Sequence, residues 1–265
     1  MFKNDSEVKL SIITVVFNNR EGLCRTLESV KRQTFCDFEQ IVIDGGSTDG
    51  TLEEIKKYES QIANFQWISE KDNGIYNAMN KGIKMAKGEY CYFLNSDDCI
   101  AVPKTLEEIF EKAKDVDIIY GNLAISENNK PFRIVKFKKH ICFADAYNNG
   151  SFVHHQASFI RRKLFEKHGL YREDVKAISD WIFFYETIVL EGTTTQYVNR
   201  VFSLFEKAGL SLRTNEKYIR TEILKKTVPL LLRTELSKTK QKKYTLLNKI
   251  YSRFLLVIFK IKGEI

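Results

Sequence analysis

Between residues 10 and 122, short β-branched or aromatic runs alternate with amphipathic stretches, and this rhythm restricts the fold more than any other feature of the chain. A repeated strand–helix–strand order predicts βαβ units, hence an α/β protein with a mostly parallel central sheet flanked by helices. Leu10 to Phe17 reads as the first strand, and Arg20 to Gln33 as a helix with Leu23, Leu27 and Val30 on one face. Phe38 to Asp44, Phe65 to Ser69, Glu89 to Leu94 and Asp117 to Asn122 read as further strands. Thr51 to Tyr58, Ile75 to Ala86 and Lys104 to Ala113 read as the helices between them. Beyond Asn122 the regularity loosens: Phe132 to Lys138 and His154 to Arg161 read as strands, Ser179 to Leu190 as a helix, and Gln196 to Glu206 as one or two strands. Three segments follow, a first half 1–122, a second half 123–215 built onto it, and a helical tail 216–265.

The net charge of +8 is unevenly spread. From Glu216 onward there are 13 Lys and Arg against 4 Asp and Glu, a net of +9, which leaves −1 for residues 1–215. A surplus confined to one end suits a tail meeting an anionic surface, rather than a basic groove through the fold, and no nucleic-acid motif accompanies it. Within the tail, Leu246, Leu247, Ile250, Phe254, Val257 and Ile258 form an apolar stripe flanked by Lys249, Arg253 and Lys260. That stripe is suited to the headgroup plane of an anionic membrane, to packing on the rest of the chain, or to a second subunit in a homodimer. The five cysteines include no Cys-x-x-Cys spacing and read as reduced structural thiols. The apolar stretch 10–17 is too short for a signal peptide or a span, so the expected setting is cytoplasmic, either soluble or peripheral at the inner face of the membrane.

Polar residues gather where the strands end. The first strand ends in Asn18-Asn19, the second in Asp44-Gly45-Gly46, the third in Glu70-Lys71-Asp72-Asn73-Gly74 and the fourth in Asn95-Ser96-Asp97-Asp98. In open α/β sheets the carboxyl ends of the strands form the ligand crevice, so these four loops outline one cleft. Neither Gly-x-Gly-x-x-Gly nor a P-loop is present. A diphosphate would then be held through a divalent cation, and the adjacent carboxylates of Asp97 and Asp98 suit one. A turn ending in a helix cap is the plainer reading of the same tetrad.

Four segments resemble, in order and spacing, the family 2 glycosyltransferases of GT-A fold. They are Ser11 to Asn18, Ile41 to Gly50, Asp72 to Gly82 and Leu94 to Asp98, and the resemblance runs through about residues 8–205. The likeness is to the bacterial branch that builds capsule, O-antigen and exopolysaccharide. It implies an inverting transferase moving a sugar from a nucleotide-diphosphate donor, a UDP-sugar, to a growing lipid-linked glycan, with Mg²⁺ or Mn²⁺ as cofactor. Thr14, Phe17 and Asn18 would line the base pocket, and Asp44 would accept from the base imide N–H. Lys71, Asp72, Asn77, Lys81 and Asn95 would face the donor ribose and sugar. Asp97 and Asp98 would bind the metal. Asp180, in Ile178-Ser179-Asp180-Trp181, matches the base that deprotonates the acceptor hydroxyl, although helix capping is an ordinary role for such an Asp. His155 and Gln156 match a His-Gln-Ala-x-Phe segment at the acceptor site, with Trp181 beside them; packing is the commoner role for a His pair on a strand. Lys207 to Ser211 resembles a loop covering the donor. The chain departs from the family at Gly45, Asn95 and Asn77, where Asp is frequent. Two further readings are a sugar nucleotidyltransferase, which would carry Gly-x-Gly-Thr-Arg where this chain has Val16-Phe17-Asn18-Asn19, and a sugar- or membrane-binding scaffold without catalysis.

Overall fold

The computed structural model describes residues 8–127, 130–141, 145–146, 153–206 and 223. The 207–211 segment and, apart from residue 223, the tail 216–265 lie outside them. The chain forms β1 (Leu10–Val16), α1 (Arg20–Lys31), β2 (Phe38–Asp44), α2 (Thr51–Glu59), β3 (Phe65–Ser69), α3 (Ile75–Met85) and β4 (Tyr90–Phe93). Then come β5 (Cys99–Ile100), α4 (Thr105–Phe110), β6 (Ile118–Glu127), β7 (Lys130–Val135), β8 (Ser158–Arg161), α5 (Lys163–His168), α6 (Ser179–Phe184) and β9 (Thr195–Glu206).

One sheet of order β3-β2-β1-β4-β8-β6-β9-β5 runs through the molecule, with β7 added to β6. The first four strands are parallel, as the βαβ rhythm requires. Beyond β4 the sheet is mixed: β8 is antiparallel to β4 and β6, while β9 is parallel to β6. Residue 122 falls inside β6, so the two halves expected from sequence share a strand.

The strands read as continuous apolar runs because both faces are covered. Ile13, Val15, Ile41 and Ile43 face α3 and α6, whereas Ile12, Val16 and Val42 face α1, α2 and α4. Helix α3 lies so close to β1 that a Cβ on Gly82 would come within 2.4 Å of Ile13 Cγ2. Only glycine fits there, and the close approach sets the height of α3 against the strand ends.

Two expectations change in the second half. His154 to Gln156 do not lie on a strand; His155–Ala157 is a 3₁₀ turn leading into β8. The expected helix over 179–190 is α-helical only to Phe184 and continues as a π-helical turn, Tyr185–Leu190. Cys24, Cys36, Cys91 and Cys99 are free thiols. No helix among the described residues is long and apolar enough to cross a membrane.

Candidate active site

Parallel pairing continues past the ends of β1, β2, β3 and β4 and brings their loops side by side. Gly45 N donates to Val16 O at 2.9 Å, Glu70 N to Asp44 O at 3.0 Å and Ser96 N to Val15 O at 3.0 Å. Asn18 adopts a left-handed conformation (φ 47°), which Asn tolerates. Its N–H donates to Ser47 Oγ at 2.7 Å, and its Oδ1 accepts from Thr48 N at 2.8 Å. Asn19 caps α1 by accepting from Gly22 N and donates from Nδ2 to Ser96 Oγ at 3.3 Å, so the first loop is tied to the second and fourth.

Over this floor, Phe17 is 64% exposed and presents an aromatic face. A Cβ on Gly45 would lie 3.2 Å from Phe17 Cδ2 and 3.1 Å from Asp72 Oδ2, which places Phe17 and Asp72 on either side of one small space. This is a physical reason for glycine at that position: a carboxylate would be crowded against Asp72. Asp72 pairs with Lys81, which also bonds Glu70 at 2.9 Å and the Lys71 carbonyl at 3.3 Å. Lys71 itself is exposed. Asn77 donates from Nδ2 to Glu173 Oε2 at 2.9 Å, and Asn80 donates to Glu173 Oε1 at 2.8 Å. An Asp at 77 would repel Glu173 where Asn donates to it.

Two donor-side residues sit deeper than expected. Thr14 is fully buried within β1, two residues short of the strand end, and its hydroxyl accepts from Gln40 Nε2 at 3.0 Å; it supports the pocket rather than lining it. Asp44 is fully buried too, and accepts from Ser69 Oγ at 2.6 Å, Ser47 N at 3.1 Å and the Ser47 hydroxyl. A contact between Asp44 and a base therefore requires Ser47 to turn away.

The tetrad forms a tight turn in which Asp98 N donates to Asn95 O at 3.0 Å and Asp97 has φ 88°. Thr26 on α1 accepts from Asp97 N at 3.0 Å, and Arg25 holds Asp97 Oδ1 through Nε at 3.0 Å. Asp98 is only 4% exposed. Burial pushes its carboxyl up to about 7, aided by the charge of Asp97, while His155, the Glu206 backbone and the Gln156 side chain oppose the shift. Among the described residues no three His, Cys, Asp or Glu side chains converge as a metal cage. A cluster of one or two carboxylates suits Mg²⁺ or Mn²⁺, hard ions that keep waters and take phosphate oxygens from a substrate. Asp97 Oδ2, which no hydrogen bond among the described residues occupies, is the oxygen best placed for this, with Asp98 beside it.

The second half brings a further carboxylate, Asp180, to the same end of the sheet. Asp180 lies in the first turn of α6, but the cap position belongs to Ile178 and no side chain caps this helix. Ile178 is β-branched yet has φ 69°, a strained conformation that turns the chain into α6 immediately before Ser179 and Asp180. Asp180 Oδ1 accepts from Tyr76 OH at 2.9 Å, and Asp180 Oδ2 lies 2.7 Å from His155 Nδ1. His155 Nε2 is 3.3 Å from Asn95 Nδ2. With the proton on Nδ1, Nε2 remains to accept from Asn95. Burial alone would raise the Asp180 carboxyl, but the hydrogen bond and charge of His155, the Tyr76 hydroxyl and the charge of His154 hold it well below the usual carboxylate range. A chain Asn95–His155–Asp180–Tyr76 thus joins the fourth strand end to α3 and α6.

Gln156 is buried near Asp98, and its backbone oxygen accepts from Tyr92 OH at 3.1 Å. Trp181 does not line the acceptor site. It is 2% exposed and stacks on Tyr185 with centroids 5.3 Å apart, because one residue along a helix turns a side chain by about 100°, from the cleft into the core. Arg25, Tyr76 and Glu173 are the site residues the sequence did not single out. Tyr76 alone carried a signal, its place inside the Asp72 to Gly82 segment.

Residues 11–169 match the model of Glycosyl transferase family 2. A PGL/p-HBAD biosynthesis glycosyltransferase of Mycobacterium bovis (strain BCG / Pasteur 1173P2) is 30% identical over 211 residues, covering 75% of this chain and 77% of the relative. The poly(ribitol-phosphate) beta-N-acetylglucosaminyltransferase TarP of Staphylococcus aureus (strain N315) is 34% identical over 151 residues, 54% of this chain and 46% of TarP. Among solved structures, S. aureus TarS 1-349 in complex with UDP-GlcNAc superposes with a TM-score of 0.66 at 19% identity, over 95% of this chain and 71% of that one. This chain spans 40% of a longer TarS chain. A mannosyltransferase of Pyrobaculum calidifontis, in complex with GDP-Man and Mn²⁺, superposes with a TM-score of 0.58 at 16% identity, over 95% of this chain and 73% of that one. With the strand-end cleft, the acidic turn and this match over more than half its length, the chain belongs to glycosyl transferase family 2.

Proposed function

We propose that the protein is an inverting, metal-dependent glycosyltransferase that moves one sugar from a UDP-sugar to a growing, lipid-linked bacterial surface glycan. The observation that carries this reading is Asp180, a carboxylate held ionised between Tyr76 and His155 at the same strand ends as Asp97 and Asp98. Uridine is favoured because TarS, crystallised with UDP-GlcNAc, superposes more closely than the enzyme holding GDP-Man. Phe17 would stack on the base, and Lys81 with Asp72 would position the ribose and sugar.

In the reaction the acceptor oxygen attacks the anomeric carbon on the face opposite the diphosphate. The new C–O bond forms as the bond to the phosphate oxygen breaks, and the acceptor proton passes to Asp180. A carboxylate held ionised at low pH is a weak base. It suffices here because the attacking oxygen becomes strongly acidic as it bonds to carbon, which makes the proton transfer late. A divalent cation, when bound, offsets the negative charge that develops on the departing nucleoside diphosphate.

A second reading makes His155 the proton acceptor, because both Asp180 oxygens have partners and the His155 Nδ1 to Asp180 bond orients an imidazole whose Nε2 lone pair is met only by Asn95 Nδ2, at 3.3 Å, which an acceptor hydroxyl would displace. His155→Gln separates the two. If Asp180 is the base, the variant keeps measurable turnover; if His155 is the base, it falls to the level of Asp180→Asn. The function itself is tested by incubating the protein with a panel of nucleotide sugars in Mn²⁺ or EDTA and measuring released nucleoside diphosphate. Release from a UDP-sugar, lost in EDTA, is expected. Release that persists in EDTA would remove the metal from the account.

A further inference from the structure

The most concentrated positive charge among the described residues lies far from the tail in sequence. From Lys130 to His140 the chain reads Lys-Pro-Phe-Arg-Ile-Val-Lys-Phe-Lys-Lys-His, five Lys and Arg with no Asp or Glu. Since residues 1–215 total −1, the rest of that stretch carries −6, so this short segment stands as a cationic patch on an acidic body. It includes β7, which pairs with β6 alone among the described residues. Phe132 and Ile134 on β7 are 54% and 53% exposed, two of the four large apolar side chains exposed to this degree among the described residues. Arg133, Lys136 and Lys139 are exposed in the same segment, Arg133 on the opposite face of β7, and form no ion pair among the described residues, whereas Lys138 is engaged by Asp145. The base of the hairpin is anchored beside the site: Phe137 N donates to Asn122 Oδ1 at 3.3 Å, Tyr120 OH donates to Lys138 O at 2.8 Å, and the Phe137 ring lies 5.6 Å from that of His154.

We infer that the β6–β7 hairpin is a docking surface for an anionic lipid bilayer, with Phe132 and Ile134 entering the interface and Arg133, Lys136 and Lys139 meeting the headgroups. Exposed apolar side chains set among unpaired cations are the composition of an interfacial segment, since the acyl boundary takes the first and anionic headgroups the second. Charge argues against the other occupants. A segment of net charge +9, as 216–265 is, does not complement the cations of the hairpin. A second copy adding its own β7 edge to edge would set Lys130 and Arg133 of each strand, with the lysines that follow, against the same cations of the other, and charged edge strands are the usual bar to such pairing. A flexible polyanion would be met by the cations but gives no reason for an exposed Phe and Ile. Docked in this way, the bilayer surface lies alongside the half of the cleft that holds His155 and Asp180.

The test is flotation of the purified 1–265 chain with vesicles of phosphatidylcholine, with or without phosphatidylglycerol. The protein is expected to float with the phosphatidylglycerol vesicles only, and less at high salt. Each cation contributes about fivefold to partitioning. Arg133→Gln/Lys136→Gln/Lys139→Gln should therefore weaken binding about a hundredfold. Phe132→Ser/Ile134→Ser should also release the protein, with melting temperature unchanged in both variants; if the serine variant does not fold, the glutamine variant, altered only at exposed positions, decides. The inference is overturned if the wild type stays in solution, if it floats equally with phosphatidylcholine alone, or if both variants float as the wild type does, which would assign the binding to the tail. A dimer by light scattering that both variants dissociate would likewise overturn it, in favour of a second copy. Flotation is read without donor or acceptor, so its failure leaves the transferase reading intact.

Discussion

Replacing Tyr76 by Phe removes one hydroxyl and almost nothing else. The ring is buried and packs edge-on against Tyr171 with centroids 5.7 Å apart, so a phenyl ring fills the same space. The lost bond, 2.9 Å to Asp180 Oδ1, is charge-assisted and sheltered from water. Hydrogen bonds to charged groups contribute about 1.5–3 kcal/mol, and a chain of this size loses about 2–4 °C of melting temperature per kcal/mol, so a drop of at least about 3 °C at pH 7 is expected. The pH dependence has a definite sign. The Asp180 carboxyl is depressed in the folded state, with Tyr76 among the causes, so its contribution is present above the unfolded carboxylate value near 4 and is lost as pH falls through the folded value. In Tyr76→Phe the folded value rises and less is contributed at neutral pH. The difference between wild type and variant is therefore full at pH 7 and narrows once pH drops below about 4, as the carboxyl protonates in both. Urea unfolding followed by tryptophan fluorescence at pH 7 and at acid pH measures both quantities. A difference below about 0.5 kcal/mol at pH 7, or one that widens in acid, would refute the reasoning.

Three further substitutions test the donor side. Asn77→Asp sets a carboxylate against Glu173 in place of the present 2.9 Å donation, so it should cost about 1 kcal/mol in low salt and less in 1 M NaCl; a loss indifferent to salt would deny the repulsion. Gly45→Asp crowds Asp72 and Phe17 and should raise the donor KM by about tenfold with little change in kcat, as expected for ground-state binding; an unchanged KM would mean that this space is not part of the donor site. Asp97→Asn should abolish metal-dependent turnover, and a wild-type rate in titrated Mn²⁺ would remove Asp97 as a ligand.

What the sequence conveyed and what it did not divide along the range of the interactions. The boundaries of β2 and β3 agree with the expected strands to the residue, because turn residues bracket both; β2 is buried throughout, whereas β3, at the sheet edge, is only half-buried. The His154 to Arg161 run misled at its start because alternation does not separate a 3₁₀ turn from the strand it enters. β5, at two residues, is too short to have a period and exists only through pairing with β9. Asp180 and His155 were legible as motif members, but their bond was not. The links that define the site, Arg25 to Asp97, Asn77 to Glu173 and Tyr76 to Asp180, span 72, 96 and 104 residues. Trp181 is adjacent to Asp180 in sequence, but helical rotation takes it into the core.

The most direct test of the account is Asp180→Asn, compared with wild type by calorimetry of the UDP-sugar identified in the donor panel and by turnover with acceptor. Amide and carboxylate have the same shape, so Tyr76 can still donate to the side chain while proton acceptance is lost. The account predicts donor affinity within about twofold of wild type and turnover reduced by about 10²–10⁴-fold, the range that general-base catalysis supplies. Turnover near the wild-type rate, with donor affinity intact, would contradict it and move the proton acceptor elsewhere.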